Sequence, residues 1–209
     1  MGRSLLAITD MDRAEASRML RVANRFSEVM DREIKKVPTL RGRTIINLFL
    51  EPSTRTSTSF ELAGKRLSAD VINVKGSGSS ISKGESLKDT VLTLASYAPD
   101  VLVIRHGSAG ACALAARHTE AAVVNAGDGK HQHPTQTLLD LYTVEREVGP
   151  LDGLHVAFVG DILHSRVARS GIAGFRMMGA RVSAVGPPTL LPRDAEDSFG
   201  IDVSTDIRD

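Results

Sequence analysis

Residues 51–59 read Glu-Pro-Ser-Thr-Arg-Thr-Ser-Thr-Ser, which places six hydroxyl side chains around Arg55. A β-branched apolar run, TIINLFL (44–50), precedes them. Phe60, Ala63 and Leu67 follow at helical spacing. A helix starting there presents unpaired backbone N–H groups and the positive end of its dipole, a setting that favours an anion. Ser53, Thr54, Thr56 and Ser57 add hydroxyl donors, and Arg55 adds a guanidinium that can grip a phosphate through two parallel bonds. A plain helix cap beside a surface charge is the alternative. The hydroxyl density and the strand–turn–helix setting favour the anion site.

Other polar residues recur where apolar runs end. Arg105 closes DVLVIR (100–105), and Arg166 follows the run LHVAFVGD (154–161). HQHPTQ (131–136) puts His131 and His133 in a loop and Gln136 in the first turn of a helix opened by Pro134. A His-x-His pair binds zinc only with further ligands, and Asp128 is the one close carboxylate, so no metal is expected. The histidine and the glutamine amide suit hydrogen bonds to a small polar substrate instead. A small ligand with several negative charges is the simplest common cause of these strand-end residues. No G-x-x-x-x-G-K-[ST] or G-x-G-x-x-G occurs, which leaves nucleoside triphosphate and dinucleotide sites unsupported.

These residues need a frame. Helical and strand patterns alternate, and the strands are continuous apolar runs, the mark of an α/β fold whose parallel sheet is covered on both faces. Ligands bind beyond the carboxyl ends of such strands. Strands are predicted over 44–50, 70–74, 100–105, 121–127, 154–161 and 180–188. A first helix is expected from Thr9 or Asp10 to about Val37–Pro38, with Met19, Val22, Ala23, Phe26 and Met30 as its apolar stripe. Further helices are expected from about Phe60, over 87–97 and 108–118, from Pro134 and over 165–178. KGSGSSISKGES (75–86) reads as an exposed loop. The turn-rich VGPLDG (148–153) divides the chain into a complete N-terminal domain, 1–148, and a partial one, 149–209. The second part shows one β-α-β unit and then about 20 residues of weak pattern, too little for an independent core.

Composition narrows the class. The 209 residues carry 26 basic and 25 acidic side chains, so no basic face for nucleic acid is indicated. With no Trp, two Tyr and six Phe, the core must be aliphatic. A single cysteine, Cys112, excludes an internal disulfide and fits a reducing, cytoplasmic setting. No signal peptide and no apolar run of the ~18 residues needed to span a membrane is present.

FLEPSTRTSTSFELA (49–63), SKGESLKDT (82–90), VIRH (103–106) and HPTQTLLDLYT (133–143) closely resemble the catalytic chain of the aspartate carbamoyltransferase family, in register over nearly all of residues 1–186. The related ornithine carbamoyltransferases share Ser-Thr-Arg-Thr. They typically carry His-Pro-Cys-Gln, where this chain reads His133-Pro134-Thr135-Gln136, and lack a close counterpart of SSISKGES. Ser57 departs from the arginine of many members. The resemblance implies a carbamoyl-phosphate-binding domain over 1–148 and the first part of an aspartate-binding domain over 149–209.

It also implies roles. Ser53, Thr54, Arg55 and Thr56 would hold the phosphate, with Thr58 and Ser59 as ordinary first-turn helix residues. Thr56, Arg105 and His133 would donate to the carbamoyl oxygen, and Gln136 would orient the carbamoyl NH₂. Ser79 and Lys83 would be lent to a neighbouring subunit's site, and Lys83 and Arg166 would meet aspartate. Carbamoyl phosphate and L-aspartate are the implied substrates, with no cofactor and no metal. The implied assembly is a homotrimer with shared active sites, with regulatory or dihydroorotase-like partner chains as a further possibility, and with neither nucleic acid nor membrane. The family's second domain contributes a further Arg and Gln near a Pro-Leu-Gln motif; two domains of ~150 residues exceed this chain. A piece that binds carbamoyl phosphate or phosphate with little turnover is the main alternative, followed by an ornithine carbamoyltransferase and a non-catalytic relative.

Overall fold

A computed structural model describes residues 3–76 and 84–208. The chain forms two compact units: Met1–Leu6 with Asn24–Gly129, and Ala7–Ala23 with Lys130–Asp209.

The first unit is a four-stranded parallel sheet of β1 (Thr44–Phe49), β2 (Asp70–Lys75), β3 (Val101–His106) and β4 (Ala122–Asp128), in the order β2-β1-β3-β4. Alternate residues of each strand point to opposite faces. Ile46, Leu48, Leu102, Ile104 and Val123 bury one face with Val91, Leu94, Cys112 and Ala115 of helices α3 (Leu87–Ala95) and α4 (Ala111–Ala116). Ile45, Phe49, Val103 and Ala126 bury the other with Phe60 of α2 (Thr54–Arg66). Gly64 lets α2 lie close to the sheet, since a Cβ there would sit 2.6 Å from Val71 Cγ2. Burial pushes the Cys112 thiol pKa far up, and the nearby Asp128 charge adds to the shift. The thiol is therefore a packing group rather than a nucleophile.

The second unit holds a three-stranded parallel sheet, in the order β5 (His155–Val159), β6 (Arg181–Val185), β7 (Asp202–Ser204). Helix α5 (Pro134–Glu147) packs on α6 (Arg166–Met177), and the short α7 (Ala195–Phe199) leads into β7. Phe158 and Phe175 meet edge to face at 6.1 Å. Gly174 sets the α5–α6 approach, because a Cβ there would lie 2.3 Å from Thr137 Cγ2.

Three sequence expectations change. Helix α1 spans Arg13–Ser27 and gives way to a 3₁₀ turn, Glu28–Asp31, well short of Val37. Its expected stripe faces outward: Met19, Val22 and Phe26 are 45%, 48% and 36% exposed, while Ala16 and Leu20 are buried. Periodicity defines a face of a helix but not the neighbour that covers it. Beyond the single β-α-β unit, α7 and β7 add a third strand, too short at three residues to show a period. Of the expected loop, residues 77–83 lie outside the described residues, Ser79 and Lys83 among them. No helix among the described residues is long and apolar enough to cross a membrane.

Candidate functional site

In the first unit, chain geometry builds a donor-lined cradle at the carboxyl end of β1. Ser53 caps α2: its backbone is extended, at φ −160°, and its Oγ accepts from Thr56 N–H. The same hydroxyl donates to Thr56 Oγ1 at 2.9 Å, so Thr56 keeps its own proton for a further acceptor. Ser57 N–H bonds Ser53 O, leaving the Thr54 and Arg55 N–H groups at the open helix end without partners among the described residues. Arg55 is exposed and makes no ion pair among the described residues. Ser57 and Ser59 turn their hydroxyls back to the carbonyls of Ser53 and Arg55, at 2.7 and 2.8 Å. Ser59 thus behaves as the helix residue expected. Ser57 uses its proton inside the helix and does not add the donor expected of it.

Arg105 comes to the same edge on the neighbouring strand, where Leu50 N–H bonds Arg105 O at 2.9 Å. Its side chain is 12% exposed, and its guanidinium donates to Ala126 O at 3.2 Å and pairs with the Glu51 carboxylate. Glu51 sits at the head of the hydroxyl stretch, yet no local pattern marks it as a partner of Arg105. A cavity of about 440 Å³ opens beside the cradle, lined by Leu50, Pro52, Ser53, Thr54 and Ser57 and by Asn73 of β2.

Asp128 is committed to structure. Its carboxylate accepts from Gly110 N–H and from Asn125 Nδ2, both at 2.8 Å. No group of His, Cys, Asp and Glu among the described residues could hold a metal ion.

The second unit gathers His133, Gln136 and Arg166. His133 is 6% exposed and caps α5. Its backbone N–H donates to Ser170 Oγ at 2.8 Å, and Ser170 in turn faces Gln132 Oε1 and Arg166 O at 3.0 and 2.9 Å. Ser170 therefore ties the start of α5 to the first turn of α6, a link spanning 37 residues that no local pattern reveals. His133 Nδ1 lies 3.3 Å from Thr135 Oγ1. Gln136 Nε2 donates to Asp140 Oδ1 at 2.9 Å, and burial pushes the Asp140 pKa up. Arg166 is half-buried at the first position of α6, whose cap is Ser165. His131 is exposed.

The fold and this arrangement match one class of protein. The family model described as the carbamoyl-P binding domain of aspartate/ornithine carbamoyltransferase matches residues 3–146, and the chain belongs to that family. Within it, the chain is similar to curated proteins named aspartate carbamoyltransferase catalytic subunit. It is 55% identical to that of Magnetococcus marinus, over 96% of this chain and 63% of that protein, and 59% identical to that of Sorangium cellulosum, over 96% and 62%. Among solved structures, the catalytic subunit of M. jannaschii aspartate transcarbamoylase superposes with a TM-score of 0.86 at 38% identity, covering 97% of this chain and 68% of that one. Aspartate transcarbamoylase from Trypanosoma cruzi, in complex with carbamoyl phosphate and aspartate, gives 0.89 at 34%, covering 98% and 67%. The chain thus spans about 63% of the length of the first two relatives.

Proposed function

We propose that the chain is the carbamoyl-phosphate-binding part, with the start of the aspartate-binding part, of a cytoplasmic aspartate carbamoyltransferase. The enzyme would transfer the carbamoyl group to the α-amine of L-aspartate, giving N-carbamoyl-L-aspartate and phosphate for pyrimidine synthesis. The observation that carries this reading is the α2 start in the first unit: a capped helix end whose Thr54 and Arg55 N–H groups and Arg55 side chain have no partner among the described residues, with Arg105 on the neighbouring strand. A dianionic phosphate is the ligand such a cradle favours.

In this reading Ser53, Thr54, Arg55 and Thr56 hold the phosphate. Thr56 Oγ–H, Arg105 and His133 donate to the carbamoyl oxygen, where negative charge develops as the aspartate amine attacks the carbonyl carbon. In this reading Thr135 Oγ1, 3.3 Å from His133 Nδ1, donates to it, which would leave Nε2 as the ring's donor. The tetrahedral intermediate collapses by breaking the C–O bond to phosphate, and the departing phosphate takes the amine proton. Positioning and charge stabilisation carry the reaction, without a covalent enzyme intermediate. Arg166 would meet an aspartate carboxylate. Ser79 and Lys83 would serve a neighbouring subunit's site in a homotrimer, alone or with regulatory or dihydroorotase-like chains. The domain division falls at 148–149, with the carbamoyl phosphate site in the first part.

A second reading rests on the same open helix end: the residues described bind carbamoyl phosphate and turn over little. Calorimetry with carbamoyl phosphate, alongside a colorimetric assay for carbamoyl-aspartate, distinguishes the two. Binding with product formation supports the full reaction, binding alone supports the second reading, and the absence of binding contradicts both. Carbamoylation of ornithine in place of aspartate would contradict the assigned acceptor.

A further inference from the structure

We propose that Asp140 is a positioning residue that selects the carbamoyl group, by fixing which end of the Gln136 amide faces the ligand. This rests on the proposed role of Gln136 in orienting the carbamoyl NH₂. Asp140 lies one turn after Gln136 on α5 and accepts from Gln136 Nε2 at 2.9 Å. An ionised carboxylate has only acceptors, so the glutamine can present only its NH₂ to it. The amide oxygen then points away, as an acceptor. A carbamoyl NH₂ offers two donors and needs such an acceptor; inorganic phosphate needs none. Without the carboxylate, the amide can rotate and present N–H against N–H, and the share of the selection that Gln136 supplies is lost.

Asp140 has no evident structural duty. Its carboxylate makes no ion pair among the described residues, and Gln136 is its one side-chain partner there. It is half-buried, and the upward pKa shift marks its charge as unfavourable to the fold. A half-buried acid that lacks a cation and disfavours folding is better explained by the amide it orients than by stability. Destabilising polar groups of this kind concentrate at working sites.

The test is calorimetric titration of the 209-residue chain with carbamoyl phosphate and, separately, with inorganic phosphate, for wild type, Asp140→Leu and Asp140→Asn. Wild type is expected to prefer carbamoyl phosphate. Asp140→Leu should weaken carbamoyl phosphate ~fivefold or more, the equivalent of one hydrogen bond, and change phosphate affinity less than ~twofold. Asp140→Asn should fall between, since its amide can face Gln136 in either orientation. Neither variant should melt below wild type. A variant that keeps the wild-type preference, or that weakens both ligands equally, overturns the inference. If Asp140→Leu does not fold, Asp140→Asn decides on the same criterion. A wild type without any preference overturns the role given to Gln136 and, with it, this inference.

Discussion

Glu51 and Arg105 form an ion pair at the carboxyl edge of the first sheet, their side chains 27% and 12% exposed, with Glu51 two residues ahead of the Ser53 helix cap. The guanidinium proposed to meet the carbamoyl oxygen is therefore both oriented and partly neutralised. An incoming anion must compete with that carboxylate. Glu51→Gln keeps an acceptor and removes the charge. We expect inorganic phosphate to bind ~threefold more tightly, in line with the usual strength of a partly exposed pair. Calorimetry measures this, and unchanged or weaker binding contradicts it.

Ser53 has two duties that substitution can separate. Ser53→Ala removes the α2 cap and should cost ~1 kcal/mol, lowering Tm by ~2–4 °C for a chain of this size. Ser53→Asp keeps a capping oxygen and places a negative charge in the cradle. It should hold Tm near wild type while abolishing phosphate binding. Scanning calorimetry and phosphate titration together test the pair; Ser53→Asp that still binds phosphate contradicts the cradle.

The α5–α6 contact depends on a missing side chain. Gly174→Ala would drive Cβ to 2.3 Å from Thr137 Cγ2 and should destabilise by ~1–3 kcal/mol, as overpacking does. Thr137→Ser removes that methyl and should recover most of the loss in the double variant. Chemical denaturation of the four proteins measures the coupling. Additive effects would mean that the clash lies elsewhere.

Asp140 predicts a pH signature. Its folded-state pKa is raised by burial above the ordinary carboxylate value. Between those two values the folded state holds a proton that the unfolded state has lost, so stability falls as pH rises through that window and stays lower above it. Asp140→Asn lacks this cost. It should melt above wild type at pH 8, and the gap should close as pH drops below the ordinary carboxylate range. A gap that does not change with pH contradicts burial as the cause.

Much of this is legible in the sequence alone. The alternation of apolar runs and helical periods marks β1 to β6 as parallel strands, although β2 and β5 are only partly covered and β7 is too short to show a period. The hydroxyl stretch around Arg55 marked the α2 start because capping chemistry is local. What escaped was non-local or context-dependent. Ser170 meets His133 across 37 residues. Glu51 gains meaning only when β1 and β3 lie side by side. Thr58 and Ser59 read correctly as helix residues, yet Ser57 looked like a donor until its proton proved to be taken by Ser53 O. The outward turn of Met19, Val22 and Phe26 shows the same limit, since periodicity defines a stripe without naming what lies against it.

The most direct test of the central claim is calorimetric titration of the chain with carbamoyl phosphate, in wild type and Arg55→Ala. Arg55 is exposed and makes no ion pair among the described residues, so its loss should leave the fold, and hence Tm, unchanged. We expect saturable binding to wild type and a loss of ~tenfold or more in Arg55→Ala, the scale of one charge-assisted hydrogen bond to phosphate. Equal binding to both proteins, at equal Tm, would contradict it.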